Sequence, residues 1–367
     1  FTLIKFFVSS YLGPAGRLET SDRLANSGTG CRMPGPPSAP ARHPRGDRAP
    51  CRRRPEKDNR VSHPRAVNRL IQDFSSRRPL RATSLIVTVF GDTVSQHGGT
   101  LWLGSLVRCL APLGVNERLV RTSVFRLVKE GWLDSERVGR RSYYRFTDYG
   151  SHEYARAARR IYNLKTPDWD GRWQILMPQD IPEEHRERFR RSLYWQGYRT
   201  IATGTFAKPG AVAPELHDIL DEFDARERVI VMQAEMPTQS SRKAVRNLVH
   251  DNWELAAVAR RYREFLRRYG ALFRWLARST AVDGDTAFAA RTLLIHDYRR
   301  ALLQDPPLPE ELLPRDWPGA EALRATAEAY ARLAAPSVEY IVTDMESGTG
   351  SMPPPGEEFW CRFTDAF

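Results

Sequence analysis

Apolar positions recur along this chain in three rhythms, and each rhythm predicts a different kind of structure. From residue 82 to 131 they step by threes and fours, the spacing of one helix face. Leu85, Ile86, Val89 and Phe90 mark a first helix, ended by Gly98 and Gly99. Leu103, Leu106, Val107 and Leu110 mark a second, stopped by Pro112 and Gly114. Val120, Val124, Leu127 and Val128 mark a third, with Asn116 as its cap, Glu117 in its first turn and Gly131 at its close. The rhythm then shortens. Leu133 to Val138 and Ser142 to Phe146 are β-prone runs around Gly139-Arg140, a hairpin signal. "DYGSHEYARAARRIYN" starts a helix that leads out of this unit.

From Trp169 the rhythm mixes. "RWQILMP" and "RVIVMQAEM" read as strands, with helical "EEHRERFRRSLYWQG", extended "YRTIATGTFAKPG" and helical "PELHDILDEF" between them. This order predicts a small α+β sandwich of ferredoxin type. Beyond Ser241 the spacing is helical throughout. Val245, Leu248, Leu255, Val258, Tyr262, Phe265 and Tyr269 form one stripe, and Phe288, Ile295 and Leu302 another, with Leu294 and Tyr298 alongside. "QDPPLPEELLPRDWPG" is a connector pinned by Trp317 and leucines, and a last helix spans about Ala320 to Leu333. The expected fold is therefore α+β: an N-terminal winged helix-turn-helix over 81–164, a ferredoxin-like central domain over 165–238 and a helical domain over 239–341 that senses a ligand or dimerises. Residues 1–80 are expected to be a disordered Pro/Arg-rich extension and 342–367 a tail, because neither shows apolar periodicity.

Charge sharpens this division. The chain of 367 residues has a formal net charge of +12. Residues 1–81 hold 17 Lys/Arg against 6 Asp/Glu, 82–164 hold 12 against 7, and 165–367 hold 27 against 31. A basic module is thus joined to a slightly acidic one, the asymmetry of a nucleic-acid-facing unit attached to something else. The opening "FTLIKFFVSSYLG" has the flavour of a secretory core but no cleavage pattern, and no run is long enough to cross a membrane. Four scattered cysteines without a C-x-x-C pair fit a reducing, cytoplasmic setting, with Cys109 a small buried hydrophobe.

Candidate chemistry concentrates in the third helix and the hairpin. Arg118, Arg121, Thr122, Arg126 and Lys129 lie off the apolar stripe, where a recognition helix reaches base edges. Phe125 also lies near that side; it can touch a thymine methyl or pack on the second helix, and packing is the expectation. Arg140 and Arg141 at the turn can reach phosphate. Tyr143 and Tyr144 must point to opposite faces of a strand; one should be core, and Tyr143 is assigned to the DNA. Three His-Asp doublets, His217-Asp218, His250-Asp251 and His296-Asp297, raise a metal-dependent phosphohydrolase as the alternative, but further ligands are not identifiable and no metal is expected.

Three segments together resemble one family. "LWLGSLVRCLAPLGVNERLVRTSVFRLVKEGWL" with "VGRRSYYRFTDYG", then "WDGRWQILMPQDIP", then "RTLLIHDYRRALLQDPPLPEELLPRDWPG" look like a PaaX-type transcriptional repressor of phenylacetate degradation operons. The match runs over about residues 81 to 333. The resemblance implies a central domain related to CRISPR adaptation nucleases, double-stranded operator DNA as partner, a homodimer, no cofactor, and phenylacetyl-CoA as the releasing effector. The nuclease kinship raises a metal-dependent nuclease as a further alternative; an acidic residue ends the first strand in those relatives, whereas here Pro178 and Gln179 intervene before Asp180. An acyl-CoA needs cations and an apolar slot, which His296, Tyr298, Arg299 and Arg300 could supply beside the apolar stripe. The Pro/Arg-rich extension has no counterpart in the family. The expectation is that the true start lies further in and that residues 1–76 are dispensable.

Overall fold

The structure is a computed structural model that describes residues 63–162, 169–210, 214–235 and 242–364. It opens with helix α1 (Arg65–Ser76), whose Val67, Leu70 and Phe74 are buried at helical spacing. Helix α2 (Ala82–Asp92) follows, then strand β1 (Thr100–Trp102), α3 (Leu103–Leu110) and α4 (Glu117–Lys129). Strands β2 (Leu133–Val138) and β3 (Arg141–Phe146) form a hairpin, and β3 also pairs with β1, giving the antiparallel order β1-β3-β2. Helix α5 (Asp148–Tyr162) leads away.

The second unit runs β4 (Arg172–Pro178), α6 (Glu183–Trp195), β5 (Arg199–Ala202), β6 (Thr205–Pro209), α7 (Pro214–Glu222) and β7 (Val229–Glu235). "YRTIATGTFAKPG", read as one extended stretch, is a hairpin that turns at Gly204 with φ 69. The sheet order is β5-β6-β4-β7, all neighbours antiparallel. Alternation along β4 sends Leu176 to the face covered by Phe189, Leu193, Leu220 and Phe223. Trp173 faces the other way, against Val249, Trp253, Leu308 and Leu312. The leucines of the proline-rich connector do pin it, as its sequence suggests.

The remaining helices are α8 (Arg242–Asn252), α9 (Leu255–Arg278), α10 (Gly284–Leu302) and α11 (Pro318–Asp344). Helix α11 runs eleven residues past its expected end and through Pro336. Buried Ala334, Ser337 and Ile341 outweigh the roughly 3 kcal/mol that an interior proline costs. The chain closes with β8 (Glu346–Ser347), β9 (Gly350–Ser351) and a short helix α12 (Glu357–Trp360).

Two boundary expectations are corrected. One hydrophobic core runs from Val67 through the α2–α4 unit to Phe363. Helix α1 is therefore part of the fold, so the extension does not reach residue 80; residues 1–62, with Cys31 and Cys51, lie outside the described residues. The closing residues are no tail either: Met345, Met352, Phe359 and Phe363 are buried, and Arg362 reaches Asp92 at 3.0 Å. The basic unit and the helical unit thus share a single interior.

Candidate nucleic-acid interface

Helix α4 is held by local chemistry that its sequence announces. The Asn116 side chain accepts from the Leu119 N–H at 2.9 Å, capping the first turn. Gly114, at φ 79, makes the turn before it. A Cβ there would lie 2.6 Å from Ser75, so the turn rests against α1 with no room for a side chain. Val120, Ser123, Val124 and Leu127 face inward, and Trp132 is buried just past Gly131.

The opposite face is exposed and basic. Arg118, Arg121, Thr122, Arg126 and Lys129 all lie on it. Arg121 pairs with Glu117 at 2.6 Å and Arg126 with Glu130 at 2.8 Å, both one turn away on the same helix. Such exposed pairs are worth about 0.3–0.5 kcal/mol and yield readily to a stronger anion. The Thr122 hydroxyl donates to the Arg118 carbonyl at 2.9 Å. At the hairpin tip Gly139, φ 62, is the first of two central residues, as in a type II′ turn, and it leaves Arg140 exposed.

Three expected contacts are corrected here. Tyr143 is only 7% exposed, paired opposite Trp102 in the sheet, so it is the core tyrosine of the two. Arg141 lies over the Trp102 ring at 4.3 Å and donates to Glu346 at 2.5 Å. It braces the hairpin against the C-terminal segment instead of extending from the tip. Phe125 does not pack on α3; it is 72% exposed. Sequence reasoning also missed Trp102, Arg108 and Glu346. Arg108 stacks on the other part of this bracket, 5.0 Å from the Trp102 ring and 3.6 Å from Glu346. The pairing depends on a segment 200 residues away, so no local signal marks it.

The expected ligand residues on α10 are drawn into a polar seam against α2. Arg299 donates to the Ser84 carbonyl and hydroxyl, each at 2.8 Å. His296 Nδ1 lies 3.1 Å from the Thr88 hydroxyl. Arg291 reaches Asp92 at 3.1 Å. Burial and then the Arg299 charge push the His296 pKa well below its usual range, so the ring is neutral and gives no charge to a phosphate. Tyr298 is buried against Phe265. Arg300 remains partly exposed and leans on Asp297 at 3.8 Å. Burial raises the Asp297 pKa, but the hydrogen bonds and charge of Arg77 outweigh it and hold the carboxyl far below the carboxylate range. These residues are structural, and α10 offers no acyl-CoA site at His296, Tyr298 or Arg299.

A cavity of about 1120 Å³ does open nearby, where α1, α3, the start of α10 and the end of α11 meet. Ile71, Val282, Phe288 and Tyr340 give it apolar wall. Asp283, Asp285, Glu339 and Asp344 give it carboxylates, against Arg108 and His63. The His-Asp doublets do not converge. His250 and Asp251 are exposed and contact each other at 3.1 Å, and His296-Asp297 sits in the seam. Among the described residues no group of three or more His, Cys, Asp or Glu side chains could hold a metal ion. Cys109 is buried, which pushes its thiol up to about 12, the environment of a small hydrophobe.

The comparisons with known proteins follow this layout. The PaaX-like protein family matches residues 81–150, the PaaX protein central Cas2-like domain 166–246, and the PaaX-like protein C-terminal domain 253–343. The transcriptional repressor PaaX of Escherichia coli (strain K12) is 36% identical over 298 residues, which cover 81% of this chain and 94% of that protein. The chain belongs to the PaaX family. The three PaaX segments coincide with the α2–β3 unit, the four-stranded sandwich and the α9–α11 helices. Among solved structures, the uncharacterized protein Rv0674 from Mycobacterium tuberculosis aligns with a TM-score of 0.44 and 23% identity, covering 64% of this chain and 90% of that one. No helix of the described residues is long and apolar enough to cross a membrane.

Proposed function

We propose that the protein is a DNA-binding transcriptional repressor of a phenylacetate catabolic operon, a regulator and not an enzyme, acting in the cytoplasm where its operator lies. The observation that carries this is the exposed basic face of α4 beside the Arg140 hairpin tip. Helix, strand, helix, helix and hairpin, with strand order β1-β3-β2, support reading this unit as a winged helix-turn-helix. There the second helix of the motif enters the major groove. The β5-β6-β4-β7 order around two crossover helices supports a ferredoxin-like reading of the central unit. No specific observation favours the nuclease reading: Asp180 is exposed beyond the end of β4 and, among the described residues, has no carboxylate partner within a metal-ligand group.

Arg118, Arg121, Thr122 and Arg126 are assigned to base edges and nearby phosphates, and Arg140 to phosphate. Arg121→Ala is expected to weaken operator binding by about 1–3 kcal/mol while changing random DNA little. Arg140→Ala should weaken both evenly and flatten the salt dependence by about one unit. Fluorescence anisotropy on operator and random duplexes, across a salt series, separates the two. Equal losses on both duplexes for Arg121→Ala would remove it from base readout. A homodimer suits this reading, since paired recognition helices read half-sites about one helical turn apart. The outer edge of β7, with Ile230, Val231 and Met232 exposed, is apolar surface that a second copy would cover.

The effector assigned is phenylacetyl-CoA, and the junction cavity is the place proposed for its acyl end. The aryl group suits Ile71, Val282 and Phe288, whereas the cavity's carboxylates would repel the CoA phosphates and keep the nucleotide outside. A ligand that lowers DNA affinity must bind the DNA complex more weakly by the same factor. Calorimetry is expected to show phenylacetyl-CoA binding the operator complex several-fold more weakly than free protein, a coupling of about 1–3 kcal/mol, with phenylacetate and free CoA much poorer. Equal affinity for the two forms removes this effector.

A further inference from the structure

Phe125 has no folding reason to be where it is. It is 72% exposed, the most open of the large apolar side chains among the described residues. The inward face of α4 is already filled by Val120, Val124 and Leu127. On a helix turning about 100° per residue, Phe125 falls within about 20° of Arg118 and about 40° of Lys129. It therefore stands in the middle of the basic face, with Thr122 and Arg121 one turn before it. A phenyl ring held in water among cations is costly surface unless something apolar covers it. In the major groove the apolar feature of a base edge is the C5-methyl of thymine.

We propose that Phe125 is a specificity-determining residue that contacts a thymine methyl in the major groove. The proposal rests on the DNA-binding reading above. The ring is flanked by groups suited to phosphate and guanine, so the helix presents one apolar reader inside a polar set. Loss of the methyl should remove discrimination at one base step and leave the phosphate contacts intact.

The test pairs a protein change with a base change in the full-length chain. Thymines of the footprinted operator are replaced one at a time by deoxyuridine, which deletes only the methyl. For the unaltered protein, one or two replacements should weaken binding about threefold to fivefold, the worth of one buried methyl group. Phe125→Ala should weaken operator binding about tenfold, leave random DNA and the thermal midpoint unchanged, and abolish the difference between thymine and deoxyuridine at those steps. Unchanged operator affinity in Phe125→Ala, or a deoxyuridine penalty that survives it, overturns the proposal. So does a shift of the sedimentation coefficient in the variant, which would make Phe125 a contact between copies. Failure of the unaltered protein to prefer operator over random DNA would instead sink the repressor reading on which the proposal stands.

Discussion

Removal of residues 1–76 is expected to abolish cooperative unfolding or to lower the thermal midpoint by tens of degrees. The deletion takes away α1, which buries Val67, Leu70 and Phe74 against α9 and α10. Each such side chain contributes about 1.5–3 kcal/mol when buried, and their sum rivals the roughly 5–15 kcal/mol that holds a typical domain together. Two further contacts go with it. Ser75 supports the Gly114 turn ahead of α4, and Asp73 holds Arg268 at 2.9 Å. Operator affinity should therefore fall along with stability. Circular dichroism melts of deletions ending at 62 and at 76 make the comparison: the expected large drop lies between the two. A midpoint for the longer deletion within a few degrees of the full chain would show that α1 is an ornament on the fold.

Helix α4 was legible in the sequence because its signals are local. Asn116, Gly131 and the Val120–Val124–Leu127 stripe each act within a turn or two. The Gly139-Arg140 hairpin is legible for the same reason. Helix α1 was missed because it lies within sixteen residues of an arginine-rich run, and composition averaged over that stretch hides one amphipathic turn after another. The α10 residues were misread for a different reason. His and Arg normally lie at a surface, so His296 and Arg299 looked like ligand groups. Nearly the whole of α10 is buried, and its Arg299, His296 and Arg291 pair with Ser84, Thr88 and Asp92 on α2. That partner stripe was visible as Ser84, Thr88 and Asp92, four apart along a mostly apolar helix, the spacing of one face. What no window of sequence could show was which helix would receive it. The same holds for Phe125, whose outward direction depends on Ser123 and Val124 taking the inward positions.

Under the proposed reading, the seam would couple an effector to the basic face of α4. Helix α2 belongs to the basic N-terminal unit and α10 to the helical unit, and packed interiors shift between discrete arrangements, not by gradual deformation. A ligand wedged between α1, α3 and α10 would act on the same packed block that carries α4.

Asp92 is the point where this block is most vulnerable. It sits at the end of α2, almost fully buried. Arg291 of α10 approaches it at 3.1 Å, and Arg362 of the closing segment at 3.0 Å. The hydroxyls of Tyr162 and Tyr330 donate to the same carboxylate at 2.6 and 3.1 Å. One anion thus compensates two buried guanidinium groups from different parts of the chain. Asp92→Asn keeps the shape but leaves both cations without a counter-charge, a loss that costs about 3–5 kcal/mol at buried pairs. The urea midpoint is expected to fall accordingly with an unchanged slope. Arg362→Met should cost less, because it removes one cation, leaves the Arg291 pair intact, and keeps an apolar side chain over the Tyr162 ring, where the guanidinium now lies at 4.1 Å. If Asp92→Asn proves no more harmful than Arg362→Met, the carboxylate is not what holds the basic N-terminal unit to the helical one, and the shared hydrophobic core alone must do so.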